Sequence, residues 1–390
     1  MIVRRGPGLR LGLAVLAVLV AGGDGHDPPA EGPVAGPVLS LPAALPEPPF
    51  DPGPGLLLAG MAGTLFALDN SSEPDPVDGR FARYTSATGW TTRAAPPRLQ
   101  TADLSVAGAI PVLTGIACPD DGSCDQGGPL VTATYDAATD RWWTPTEFRR
   151  EPTEEFGASG LVRRYRDAVL FVADGELIVL EPGAPERRLR LPGHYPDFPC
   201  VTGDTVTVLT LDIAPQTVDE RDQGDLLRAE AALMTGRFGV RHVNVEAGTV
   251  SAVLGTTPVG LSSPEPPRAV TPICLHDGVL ALGDLSSAVW RPAQPRWSPF
   301  DAGAIGDGFV PGSITLDDGR TILLVRHSPG VESIVTISAA GEVTGVEALP
   351  SEVDGPQMSR RLVAVGSQAV LYQHVAYDPP RISLVTVAGT

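Results

Sequence analysis

Three aspartates crowd one short loop: Asp120, Asp121 and Asp125 lie inside and just beyond the stretch closed by Cys118 and Cys124. Carboxylate oxygens gathered in this way suit a hard cation such as Ca²⁺. The loop lacks the alternating ligand positions of an EF-hand, and a disulfide-braced surface turn accounts for the same residues. A second charged group, Asp219-Glu220-Arg221-Asp222, sits in a polar insertion between apolar runs. Loops of this kind, held by a rigid scaffold, commonly carry ligand-binding side chains, and a solvated insertion is the alternative. A third group, His194-Tyr195, stands shortly before Cys200. An imidazole beside an amphipathic ring suits contact with a sugar or a peptide, although packing between structural units explains the ring equally well.

Catalytic patterns are thin. His194, His242, His276, His327 and His374 are scattered, without the close pairing that a helical metal site shows. There is no Gly-x-Ser-x-Gly elbow, phosphate loop or dinucleotide fingerprint in the chain. No catalytic residue is assigned, and Ca²⁺ on the aspartate loop is the one cofactor candidate. Four cysteines, Cys118, Cys124, Cys200 and Cys274, fit an oxidising compartment. The turn-rich loop lets Cys118 meet Cys124, which leaves Cys200 and Cys274 either to pair or to remain buried thiols.

These residues must be positioned by β-structure. Short runs rich in β-branched residues recur between Gly, Asp and Pro turns, among them 64–68, 130–135, 168–173, 205–211, 279–282, 321–326, 332–337 and 369–374. Asp174-Gly175 and Asp317-Asp318-Gly319 read as hairpin turns. One stretch, 225–234, has helical composition. Strand–helix alternation of the kind a parallel α/β sheet needs is missing.

Internal repetition sharpens the picture. Tyr84-Thr85-Ser86-Ala87-Thr88-Gly89-Trp90 is echoed 51 residues on by Tyr135-Asp136-Ala137-Ala138-Thr139-Asp140-Arg141-Trp142, and fainter echoes occur near Thr235 and Trp297. A strand, a Tyr-Asp-x-x-Thr-x-x-Trp turn and a second strand resemble the kelch repeat of galactose-oxidase-like β-propellers. The glycine pair that opens a kelch unit has one counterpart, Gly127-Gly128. The resemblance implies an all-β propeller. Kelch units run to ~50 residues, so the chain after the Pro-rich stretch holds about seven blades, or six with insertions. Copper-oxidase residues do not carry over position by position.

Ahead of the repeats, Arg4, Arg5 and Arg10 precede the apolar run 11–20 and the small residues Ala21-Gly22-Gly23. That reads as a signal peptide over 1–23, the alternative being an uncleaved anchor; the run falls short of the ~20 apolar residues of a bilayer span. Residues 24–54, dense in proline, read as a linker, and 55–390 as the propeller. The formal charge of −18, with every one of the 28 basic residues an arginine, argues against a nucleic-acid partner. The sequence therefore suggests a secreted or extracytoplasmic binding module for a glycan, a cell-wall component or a protein. Its rival is a propeller enzyme acting on carbohydrate or a small oxidisable substrate.

Overall fold

Strands of about six residues joined by tight turns can pair only with their immediate sequence neighbours, which gives small antiparallel meanders. The computed structural model describes residues 41–50, 56–61, 63–69, 80–97, 99–107, 110–117, 130–148, 163–166, 168–173, 176–181, 184–191, 194–202, 205–211, 238–258, 261, 270–306, 308–328, 331–349, 358–375 and 381–387. Over these residues the strands form seven antiparallel sheets, spanning 56–93, 99–148, 163–190, 194–256, 271–300, 309–349 and 358–387. The strands lie in chain order within the sheets, except that Ala44–Leu45 joins the outer side of the seventh, and the first strand of every sheet contacts the first strand of the next. The first strand of the seventh sheet also contacts that of the first, so the ring closes. The protein is a seven-bladed β-propeller, and no helix occurs among the described residues.

Burial follows from the ring. A second strand such as Gly278–Leu282 is buried at every position, because neighbouring blades cover both its faces. An outer strand such as Val343–Leu349 is mostly solvent-facing. The core is divided among the seams between blades. Phe66 and Phe81 of blade 1 pack with Leu104, Val106 and Tyr135 of blade 2, while Leu280 of blade 5 packs with Leu323 and Val335 of blade 6. Neither face of an isolated blade would be dry, so closure of the ring is what completes the core.

Closure uses the N-terminal side of the chain. Ala44–Leu45 forms the outermost strand of blade 7, in register with Val385 and Leu384. Leu41, Leu45 and Phe50 are buried with Leu56, Val365 and Leu384. Residues 41–50, inside the stretch expected as linker, thus belong to the propeller. Prolines 42, 46, 48 and 49 are tolerated because an outermost strand needs a hydrogen-bonded partner along one edge only. Where blades 1 and 7 meet at the axis, a Cβ on Gly60 would lie 2.5 Å from the Ala364 carbonyl oxygen, so glycine is required there. Residues 1–23, the expected signal peptide, and 225–234, the expected helix, lie outside the described residues. No helix of the described residues is long and apolar enough to cross a membrane.

Candidate functional site

The seven inner strands run in one direction along the axis, so their C-terminal ends and the turns that follow gather at one mouth of the central channel. A cavity of about 680 Å³ opens there. Four blades supply its polar lining: Ser105 from blade 2, Arg163 and Arg166 from blade 3, His276 from blade 5, and Ser313, Thr315 and Asp317 from blade 6. The arginines and Asp317 are separated by blades 4 and 5 along one side of the ring. The cavity therefore has an arginine wall and, across it, a blade 6 wall that carries Asp317 with the hydroxyls of Ser313 and Thr315.

Local structure fixes each group. Arg166 follows the inner strand Arg163–Tyr165 in a left-handed turn (φ 52°), and its guanidinium carbon lies 5.3 Å from the Tyr165 ring centroid. It pairs with Glu246, on the turn joining the third and outer strands of blade 4. Both side chains of that pair are about half exposed or more, and such pairs hold by ~1 kcal/mol or less. His276 is exposed on the first turn of blade 5. Gly319 of blade 6 (φ 87°) lies against it, and a Cβ there would sit 2.9 Å from His276 Cγ. Thr315 Oγ1 donates to the Cys274 carbonyl at 3.1 Å, and the Asp317 amide donates to the Gly366 carbonyl at 3.0 Å. These two bonds tie the blade 6 wall to blades 5 and 7. The neighbouring Asp318 is committed elsewhere. Burial pushes its carboxyl up, but bonds from the Arg320 side chain and amide outweigh this and hold it below the usual range. Arg320 in turn donates to the Ser367 carbonyl at 3.0 Å.

Beneath the mouth, a disulfide joins Cys200 of blade 4 to Cys274 of blade 5, with Cα atoms 5.2 Å apart. Cys274 and Val201, the residue after Cys200, both line the cavity, so the crosslink stiffens its wall. Cys118 and Cys124 lie outside the described residues.

Of the candidate ligand residues singled out in the sequence, His194 and Tyr195 are described, and their place in the chain is away from this mouth. His194 and Tyr195, expected between blades, instead open the inner strand His194–Thr202 of blade 4, with His194 in register with Leu211. Pro196 and Pro199 hid that strand, and the register shifts at both of them. His194 lies at the far end of the channel from the cavity. Asp219, Glu220, Arg221 and Asp222 fall in the connection after Leu211, and Asp120, Asp121 and Asp125 in the connection after Ala117; both lie outside the described residues. Among the described residues, no three His, Cys, Asp or Glu side chains are grouped as a metal site. Arg163, Arg166, His276 and Asp317 were missed. Arg166, His276 and Asp317 follow the end of an inner strand and Arg163 opens one only three residues long, positions that acquire meaning only once the blades are assigned.

No known protein-family model matches the chain, and no curated protein matches it. Among solved structures, it is similar to a lectin from Burkholderia pseudomallei at 15% identity and a TM-score of 0.49, covering 87% of this chain and 98% of that one. It is also similar to a structure described as the eukaryotic initiation factor, at 11% identity and a TM-score of 0.44, covering 83% and 72%.

Proposed function

We propose that this chain is an exported binding module whose channel mouth holds an oxygen-rich glycan or wall fragment bearing a single carboxylate. The observation that carries this reading is the placing of Arg163 and Arg166 on one wall of a cavity whose lining also includes the hydroxyls of Ser105, Ser313 and Thr315. A guanidinium offers a planar fork matched to a carboxylate, and hydroxyls both donate to and accept from sugar hydroxyls. Asp317, on the opposing wall, accepts hydrogen bonds from hydroxyl or ammonium groups at the ligand's other end.

Charge narrows the ligand class. At −18 overall the protein repels extended polyanions, so a polyuronate or a nucleic acid is disfavoured against a short ligand with one negative group. The Cys200–Cys274 disulfide supports an oxidising, extracytoplasmic location, in keeping with an N-terminal signal segment. The Tyr–Trp hairpins of blades 1 and 2 support a kelch-like origin for the ring.

Calorimetric titration tests the reading with three ligands: a uronic-acid-terminated disaccharide, its neutral counterpart, and polygalacturonate. The monocarboxylate binds, and Arg163→Ala weakens it by about tenfold or more, the cost of losing one charged hydrogen-bond partner. Equal affinity for the neutral sugar, or affinity untouched by Arg163→Ala, would overturn the reading.

A further inference from the structure

A second cavity, of about 260 Å³, opens between blades 5 and 6. Leu282 ends the second strand of blade 5 and Phe309 begins the inner strand of blade 6, so the cavity lies at the end of the seam away from the channel mouth. The volume falls below the ~300–1,000 Å³ of sites for drug-sized ligands, so the cavity accepts one group of about the size of a phenyl ring.

Register sets the blade 5 wall. Thr271 pairs with Leu282 and Leu282 with Ser287, and residues directly opposite in an antiparallel sheet project from the same face. Leu282 packs with Val310 and Leu323 of blade 6, so that face is the one turned toward blade 6. Thr271, Leu282 and Ser287 therefore stand side by side along the cavity, two hydroxyls flanking a leucine. The opposite wall is apolar, with Ala302, Ile305, Phe309 and Val310. Both walls are preformed. On one side, the Gly283 amide donates to the Ser286 carbonyl at 3.1 Å. On the other, the Ile305 and Gly306 amides donate to the Ala302 carbonyl at 2.8 and 3.0 Å. A guest entering between them therefore orders little of the protein.

One polar atom of this lining defines the rest of the guest. Ser287 is 6% exposed, and its hydroxyl has no hydrogen-bond partner among the described residues. A buried hydroxyl left without a partner is unfavourable, and a serine hydroxyl can both donate and accept. A hydroxyl on the guest satisfies it in either sense. A charge carried to the depth of Ser287 would instead leave water for neutral hydroxyls and aliphatic carbon, which is costly. Phe309, 61% exposed on the cavity wall, adds an aromatic surface that a flat guest covers. We infer that this pocket binds a small neutral phenol, its ring inserted between blades 5 and 6 and its hydroxyl on Ser287.

The site is separate from the channel mouth, and the test keeps the two apart. 4-Fluorophenol, 4-fluorotoluene, 4-fluorobenzoate and 4-fluorobenzylammonium share one ring and differ in the group opposite the fluorine. Each is titrated into the whole protein and followed by fluorine NMR. The phenol binds saturably, about fivefold or more tighter than the toluene, as expected for one hydrogen bond gained at a buried hydroxyl. Both ions bind more weakly than the phenol. Ser287→Ala, which removes only the unpartnered hydroxyl, abolishes the preference for the phenol over the toluene. Phe309→Ser weakens both of these probes, and Arg163→Ala at the channel mouth changes neither. Lack of saturable phenol binding to the wild-type protein, equal affinity for the toluene, or tighter binding of either ion would overturn the inference. So would a preference for the phenol that survives Ser287→Ala.

Discussion

Trp142 of blade 2 donates its indole N–H to the backbone carbonyl of Ala94, 3.0 Å away, in the segment leaving blade 1. The same residue's amide donates to Asp140 Oδ1 at 3.1 Å, so the hairpin of blade 2 holds both polar groups of Ala94. Asp140 also accepts from the Tyr135 hydroxyl at 2.6 Å. The arrangement recurs one blade earlier. Trp90 donates to the Pro46 carbonyl at 2.7 Å, and Pro46, like Ala94, is the first residue after the outer strand of the preceding blade. The repeated Tyr–Trp hairpin is therefore a latch that fastens each of these blades to the one before it.

Trp142→Phe keeps most of the ring burial against Phe81 and Tyr135 but leaves the Ala94 carbonyl without this donor. The expected loss is about 1 kcal/mol, read as a lowered urea midpoint with unchanged slope. Trp142→Ala also removes the ring, and costs about 3–5 kcal/mol. Equal midpoints for the wild-type and Phe proteins would show that the indole bond is not part of the latch's strength.

How far the sequence could be read follows from where the chain is regular. The Tyr–Trp hairpins were visible because both aromatics face the same seam. Even so, the Trp falls one position later in the second copy. Register explains this: Trp90 pairs with Tyr84 and Trp142 with Tyr135, across turns of residues 86–88 and 137–140. Trp143, next along, is 56% exposed, as strand alternation requires. Strands interrupted by Pro or Gly were lost. Phe309–Thr315 contains Pro311-Gly312, and its register shifts between Phe309 and Gly312, which breaks the alternation by which a strand is read. Ala44–Leu45 was illegible because its only pairing partner lies at the opposite end of the chain. The channel mouth was illegible for a related reason: its residues come from separate blades and share no local spacing.

The closing strand makes Phe50 a test of the whole ring. It is 7% exposed, within a cluster built from both ends of the chain. Phe50→Ala costs about 3 kcal/mol, as for other buried aromatic truncations. A chain starting at residue 56 melts well below one starting at residue 24. It also aggregates, because removal of Ala44–Leu45 bares the edge of Arg381–Val387. Matching melting curves for the two chains would show that the ring does not depend on this strand.

The disulfide contributes through the length of chain it closes. Cys200 and Cys274 are 74 residues apart, for which chain entropy sets a limit of about 4.5 kcal/mol, and measured effects commonly fall at 2–4 kcal/mol. Replacing both Cys200 and Cys274 by serine lowers stability by that amount, measured by guanidinium unfolding. A reducing agent produces a similar fall in the wild-type protein, and the double variant loses this Cys200–Cys274 component. A wild-type transition unmoved by the reductant would mean that the bond adds nothing to the seam between blades 4 and 5.

Tyr372 gives the fold a defined alkaline weakness. Its ring is 2% exposed in the closure cluster, its hydroxyl has no partner among the described residues, and burial pushes its pKa up to about 12. A folded-state pKa raised above the unfolded value of ~10 gives stability that is fully present below pH ~10 and is lost as pH rises toward 12. At pH 11 the unfolded tyrosine is mostly ionised while the folded one is mostly neutral, a penalty of about 1 kcal/mol. Tyr372→Phe removes a buried hydroxyl that has no partner, so at pH 7 it leaves stability unchanged or slightly higher. At pH 11 the variant exceeds the wild-type protein by about a further 1 kcal/mol. Denaturant midpoints for both proteins at pH 7, 9 and 11 check this: the gap between them widens only above pH 9. A constant gap would mean that the Tyr372 hydroxyl ionises in the folded ring as readily as in the open chain.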